Sequence, residues 1–290
     1  MRPRNFDLRF AGLSGLALAG LLALGALMPV STAFAAQTPA DACIATDISD
    51  EERVTACSAV IADRKSPRSH LVVAYCNRGY SLTELKQYDR VIADSNAALR
   101  IDAKLPCAYL NRGRAFFYKH DLDRAIADYT QTIKLDPTYH EAFANRGAAY
   151  HERREFARAI PEYDVAIMIE PNVAMYYRDR ANTLSNLGEY SRAIDDLARA
   201  IELEPNDVEL YFRRGNMSVE TRDLDSAIAD FTKAIAIAPD ELRFRYAREK
   251  AYREKGETEQ ARADHEEALR IEAVRFRRLL KSAGGPAIAR

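Results

Sequence analysis

Between Cys107 and Pro137, apolar and small side chains fall at Leu110, Gly113 and Phe117, then at Ala125, Ile126, Tyr129 and Ile133, with mostly polar residues between them. Spacings of three and four put each set on one face of a helix, so the stretch predicts two amphipathic helices, A and B, joined by a short turn. The pattern returns every 34 residues. Gly79, Gly113, Gly147, Ala181 and Gly215 hold one register, and Tyr75, Tyr109, Phe143, Tyr177 and Tyr211 hold another. In blocks counted from Val72, position 20 reads Val91, Ala125, Ala159, Ala193, Ala227 and Ala261, and position 27 reads Ala98, Thr132, Ala166, Ala200, Ala234 and Ala268. Small residues at positions 8, 20 and 27 let neighbouring helices approach, while aromatic residues at 4, 11 and 24 fill the space between them. Position 32 is Pro137, Pro171, Pro205 and Pro239 in the middle four blocks, where proline ends helix B and starts the turn to the next block. Pro161 falls inside a B helix and predicts a local kink.

An unbroken period of this length, with its aromatic, small and proline positions, resembles the tetratricopeptide repeat over residues 72–273. The chain departs from that pattern in having no Trp, in carrying Arg at position 7, and in a sixth block with Glu249 and His265 at positions otherwise small and mostly apolar. The resemblance implies an all-α fold, a right-handed α-solenoid of about six helix-turn-helix repeats with capping helices at both ends. Residues 1–36 read as a signal peptide, 37–71 as a capping segment with one helix, 72–273 as the repeats, and 274–290 as a capping helix and tail. A repeat array gains stability from neighbour contacts rather than one core, so a single elongated domain is expected.

Position 7 is Arg in every block (Arg78, Arg112, Arg146, Arg180, Arg214, Arg248), and position 23 is always acidic (Asp94, Asp128, Glu162, Asp196, Asp230, Asp264). One carboxylate per arginine in lockstep predicts a ladder of A-to-B ion pairs that fixes register. The competing reading is a row of arginines for an anionic ligand.

The net charge of −1 spread over 290 residues gives no nucleic-acid footprint. A basic start, an apolar run from Ala11 to Met28, and Ala33-Phe34-Ala35 form an export signal with cleavage near Ala35 or Ala36. They predict a periplasmic protein, or secondly an extracellular one, without stable membrane insertion after cleavage. Four cysteines in an oxidising compartment predict disulfides, and the pairing favoured is Cys43 with Cys57 and Cys76 with Cys107, two reduced thiols being the alternative for the second pair. Ser49 and Glu52 form a capping box for the helix that follows.

No catalytic motif is recognisable, and the five histidines lack partners at metal-ligand spacing, so neither enzyme, metal nor cofactor is expected. His140 and His151, each followed by Glu, stand three helical turns apart, too far for one ion. The resemblance implies instead that positions 2, 5, 9, 12 and 13 of the A helices receive a protein or peptide. Carried onto this chain, the candidates are Tyr80, Leu110, Arg114, Phe117, Tyr118, His151, Arg178, Asn182, Asn186, Phe212, Asn216, Arg243, Tyr246 and Lys250. Some family members clamp a peptide carboxylate with a set that Arg178, Asn182 and Arg243 match, whereas Arg213 and Ala247 depart from it. The expected function is a non-catalytic scaffold or adaptor. The alternatives are a module for an anionic glycan or cell-wall fragment, and an enzyme whose site is hidden in the sequence; self-assembly is a further possibility.

Overall fold

The computed structural model describes residues 38–282, so the signal segment and the Gly284, Gly285 and Pro286 tail lie outside the described residues. Among the described residues the chain forms 14 α-helices and no strand. It divides into two compact units at Lys104 and Leu105, within the run of blocks that the sequence presents as continuous.

The first unit contains α1 (Pro39–Ile44), α2 (Asp50–Ala62), α3 (Arg68–Glu84) and α4 (Tyr88–Ile101). Two helices precede α3 where the sequence pattern suggested one. Helix α1 is too short to show hydrophobic periodicity, but Thr38 and Asp41 give it a capping box. The box at Ser49 and Glu52 starts α2 as expected. Cys43 and Cys57 are bonded and buried against Val60 and Ala74, which ties α1 to the stack. Cys76 and Cys107 are also in disulfide form, and no described cysteine is free.

The second unit is a succession of A and B helices: α5 (Pro106–Tyr118), α6 (Leu122–Leu135), α7 (His140–Glu152), α8 (Phe156–Ile169), α9 (Ala174–Asn186), α10 (Tyr190–Leu203), α11 (Val208–Glu220), α12 (Leu224–Ile237), α13 (Leu242–Lys255) and α14 (Thr258–Ser282). Each helix packs on the next, as expected for stacked repeats. Helix α8 continues through Pro161 to Ile169. The residues from Val274 onward do not form a separate capping helix; they prolong α14, and Phe276 and Leu279 remain 60% and 66% exposed. No turn residue separates them from the preceding helix, so the helix propagates.

In the second, third and fifth repeats, the glycine at position 8 meets the aromatic ring at position 24. A Cβ on Gly113 would stand 2.7 Å from Tyr129, and one on Gly215 would stand 2.6 Å from Phe231. The fourth repeat replaces both members at once: Ala181 faces Leu197, so the larger small residue accompanies the smaller partner. Every A-to-B turn places position 15 in the left-handed region, at Lys86, His120, Arg154, Gly188, Arg222 and Gly256. The next backbone N–H reaches back five residues in each case, as from Glu155 to Tyr150 at 2.8 Å and from Asp223 to Ser218 at 2.9 Å. This satisfies carbonyls at the A-helix end, and four of the six turns do so without glycine.

The predicted ladder is complete. Arg78, Arg112, Arg180, Arg214 and Arg248 each grip their carboxylate through two nitrogens at 2.6–2.9 Å, and Arg146 reaches Glu162 at 2.8 Å. The remaining nitrogen often reaches the preceding repeat: Arg146 donates to Thr130 at 3.0 Å, Arg180 to Asp164 at 2.6 Å, and Arg248 to Thr232 at 2.8 Å. These arginines therefore stitch both the helix pair and its neighbour. Hydrogen bonds donated to the carboxylates hold Arg112, Arg180, Arg214 and Arg248 more firmly protonated than usual. Their engagement answers the rival reading, since guanidinium groups already gripped in this way are not a free row for an anion.

Candidate functional site

The 34-residue spacing brings the inner faces of consecutive A helices α7, α9 and α11 side by side, and between them opens a cavity of about 420 Å³. Its wall comprises His151 from α7, Asn182, Ser185 and Asn186 from α9, and Glu209, Phe212, Arg213 and Asn216 from α11. Ala181, Leu197 and Met217 supply its apolar lining. Phe212 is pinned from beneath by Phe231 and Phe244, with ring centroids 5.9 and 5.2 Å away.

The polar groups fall into two classes. The charged ones are paired with each other: Glu209 lies 3.3 Å from Arg213 and 2.9 Å from Arg243, one carboxylate oxygen for each arginine. Arg213 also donates to the Asn182 Oδ1 at 2.8 Å, and Arg243 stacks over the Phe212 ring at 5.1 Å. Arg178 pairs with Asp179 at 3.0 Å. Burial holds the Asp179 carboxyl above the ordinary aspartate range, against the opposing pull of Arg178, His151 and Arg213. The neutral groups, by contrast, keep unused capacity. The Asn186 amide donates to the Asn182 carbonyl at 2.8 Å; among the described residues its side-chain oxygen and the Asn182 side-chain NH₂ take no protein partner, and neither do the side chains of Asn216 and Ser185.

His151 Nδ1 lies 2.8 Å from the hydroxyl of the buried Thr183, which itself donates to the Asp179 carbonyl at 2.8 Å. With the hydroxyl proton committed to that carbonyl, the imidazole is the donor to Thr183. It is positioned as a wall of the cavity.

Of the residues suggested by sequence, the structure gathers His151, Asn182, Asn186, Phe212 and Asn216 in this cavity, with Arg243 stacked on Phe212 and Arg178 joined through Asp179. Others stand elsewhere. Phe117 and Tyr118 form an edge-on pair on α5, where Tyr118 is 48% exposed; Arg114 is half-buried on the same helix. Leu110, near the start of α5, is only 6% exposed. Tyr80 is half-buried on α3 in the first unit. On α13, Tyr246 donates to Glu272 at 3.0 Å and Lys250 lies 3.8 Å from Glu254. Leu197 and Met217 were not anticipated, because their block positions read as core; only the size reduction at position 24 of the fourth block hinted at space there.

Profiles of the tetratricopeptide repeat match residues 72–105, 113–153, 146–207 and 178–241, together more than half of the chain. The chain belongs to the tetratricopeptide-repeat family. Solved structures share the fold. A crystal structure of MamA is 27% identical over 57% of this chain and 96% of that one, with a TM-score of 0.54. Pseudomonas aeruginosa pilF, at 13% identity and a TM-score of 0.61, covers 70% and 93%; YrrB, at 19% and 0.53, covers 66% and 96%. No curated protein sequence matches the chain. Three residues of the family's carboxylate clamp are present, yet each is engaged internally: Arg178 by Asp179, Asn182 by Arg213, and Arg243 by Glu209.

Proposed function

We propose that this tetratricopeptide-repeat protein is a non-catalytic, exported scaffold that holds an extended peptide segment of a partner protein along the A-helix face centred on α7, α9 and α11. The observation that carries the proposal is the pairing of unused amide groups on Asn182, Asn186 and Asn216 with an apolar wall of Phe212 and Met217. A peptide main chain alternates donor and acceptor, which carboxamide side chains can answer in either sense, while the apolar wall receives one side chain. YrrB is described as a tetratricopeptide-repeat protein with an unusual peptide-binding site, which agrees with such a use of this fold. Phe117 and Tyr118 on α5 offer a further anchoring patch. The internal pairing of Arg178, Arg213, Arg243 and Lys250 disfavours an anionic glycan, which would need surplus cations. Export is supported by the N-terminal sequence and by the Cys43–Cys57 bond.

The test is selection of a displayed random-peptide pool on the wild-type protein, followed by binding of the enriched peptides to Phe212→Ala and Asn216→Ala. Loss of affinity by about tenfold or more in each variant, with unchanged melting in Asn216→Ala, is expected for a central contact. Absence of enrichment, or peptides that bind both variants as well as the wild type, refutes the proposal.

A further inference from the structure

Glu209 stands in the second position of α11, within reach of two guanidinium groups from two different repeats. Its Oε1 is 3.3 Å from Arg213 and its Oε2 is 2.9 Å from Arg243. A carboxylate that lies between two arginines and also lines a ligand-sized cavity occupies the place that an incoming carboxylate would seek. Around it the wall offers neutral donors and acceptors, and Arg178 on the neighbouring α9 is paired with Asp179. An entering anion would therefore meet the Glu209 carboxylate already standing between the two guanidinium groups, with Glu241 a further 4.0 Å from Arg243.

Resting on the peptide-binding reading above, we propose that Glu209 is a specificity-determining residue: a built-in carboxylate that reserves the cavity for uncharged, internal stretches of peptide and turns away chain ends and acidic side chains. Uncharged main chain keeps the Glu209 pairs intact and uses the amides. A ligand carboxylate drawn to Arg213 and Arg243 would have to share them with the Glu209 carboxylate already between them, which sets two like charges against each other. Discrimination against the anion is thus built as repulsion.

The pairing also predicts what removal does. Glu209→Gln keeps the length of the side chain and one hydrogen-bonding oxygen but releases the positive charge of Arg213 and Arg243 into the cavity. The probe is a matched pair of N-acetylated Ala-Leu-Ala peptides, one ending in a carboxamide and one in a free carboxylate, titrated by NMR into the full mature protein. Wild type is expected to bind the carboxamide and to show a weaker response to the carboxylate. In Glu209→Gln the preference should reverse, with carboxylate affinity gaining about tenfold, the size of one added charge-assisted hydrogen bond. The double variant Glu209→Gln/Arg243→Gln should lose most of that gain, and equal melting temperatures of the three proteins identify the effect as local.

If wild type binds both peptides alike, or Glu209→Gln leaves the preference unchanged, the gating role is overturned while peptide binding at the cavity stands. If neither peptide perturbs resonances around Asn182 and Asn216 in any of the proteins, both the gate and the peptide-binding reading fail.

Discussion

Replacing Asp230 by alanine strands the Arg214 guanidinium, because that arginine has no second carboxylate among the described residues, whereas replacing Asp196 leaves Arg180 in contact with Asp164 at 2.6 Å. Removing one partner of a buried ion pair costs about 3–5 kcal/mol. The Arg214 side chain retains 26% exposure and can recover some hydration, which places Asp230→Ala near the lower end, at about 3 kcal/mol. In Asp196→Ala the charge keeps a partner, though a half-exposed one, and the loss is that of a charged hydrogen bond, about 1.5 kcal/mol. At about 2–4 °C per kcal/mol for a chain of this size, the melting temperature should fall by roughly 9 °C in the first variant and roughly 4 °C in the second. Repeats unfold in part as well as together, so the assay pairs thermal melting with hydrogen exchange at the amides of α9 to α12. Protection should be lost mainly in α11 and α12 for Asp230→Ala. Replacing the whole pair with Arg214→Met/Asp230→Leu should restore most of the stability, since an apolar pair leaves no stranded charge. Equal losses in the two single variants, or a larger loss in Asp196→Ala, would refute the reasoning that a second carboxylate protects the ladder.

Gly215→Ala drives a Cβ to 2.6 Å from the Phe231 ring and should cost about 1–3 kcal/mol in chemical denaturation, while adding Phe231→Leu should recover much of it, as the natural Ala181 and Leu197 pair does. Arg154, held at φ +61° on an exposed turn, should gain about 0.5–1 kcal/mol of stability on replacement by glycine, read as a raised denaturation midpoint. Alanines at Cys43 and Cys57, which lie 14 residues apart, should cost the first unit about 3 kcal/mol, seen as early loss of exchange protection in α1 and α2. Because burial raises the Asp179 pKa in the folded state, its contribution to stability is present at pH below the ordinary aspartate value and is lost as pH rises through the raised one. Asp179→Asn should flatten that part of a melting-temperature profile, and an unchanged profile would count against the raised pKa.

The repeat geometry was legible because each packing requirement recurs at the same block position, so the helix pairs, the ladder and the small-to-large contacts at Gly113 and Gly215 are written several times over. The A-to-B turns were less legible. Only Gly188 and Gly256 announce the left-handed residue chemically, while Lys86, His120, Arg154 and Arg222 adopt it under the constraint of the packed helices. At the site, the A-helix positions lead to Asn182, Phe212 and Asn216, but the charges do not read from sequence alone: Arg178 and Arg213 pair with Asp179 and Glu209 on their own helices, and Arg243 pairs with Glu209 across two repeats. Sequence spacing shows which residues share a face, and only side-chain geometry shows which charges are already spent on each other. The apolar residues from Val274 onward read as a capping helix, yet they extend α14 and Phe276 stays exposed, because apolar character alone does not show what covers a side chain.

Peptide capture by the A-helix cavity is tested most directly by a photoreactive residue placed at Asn216, compared with one at the exposed Lys233 on α12, followed by mass spectrometry of the crosslinked material. The prediction is a crosslink from position 216 to one continuous, uncharged segment within a partner protein, competed away by the corresponding synthetic peptide, and none from position 233. Crosslinks from position 233 with silence at 216, or attachment at 216 to material other than polypeptide, would contradict it.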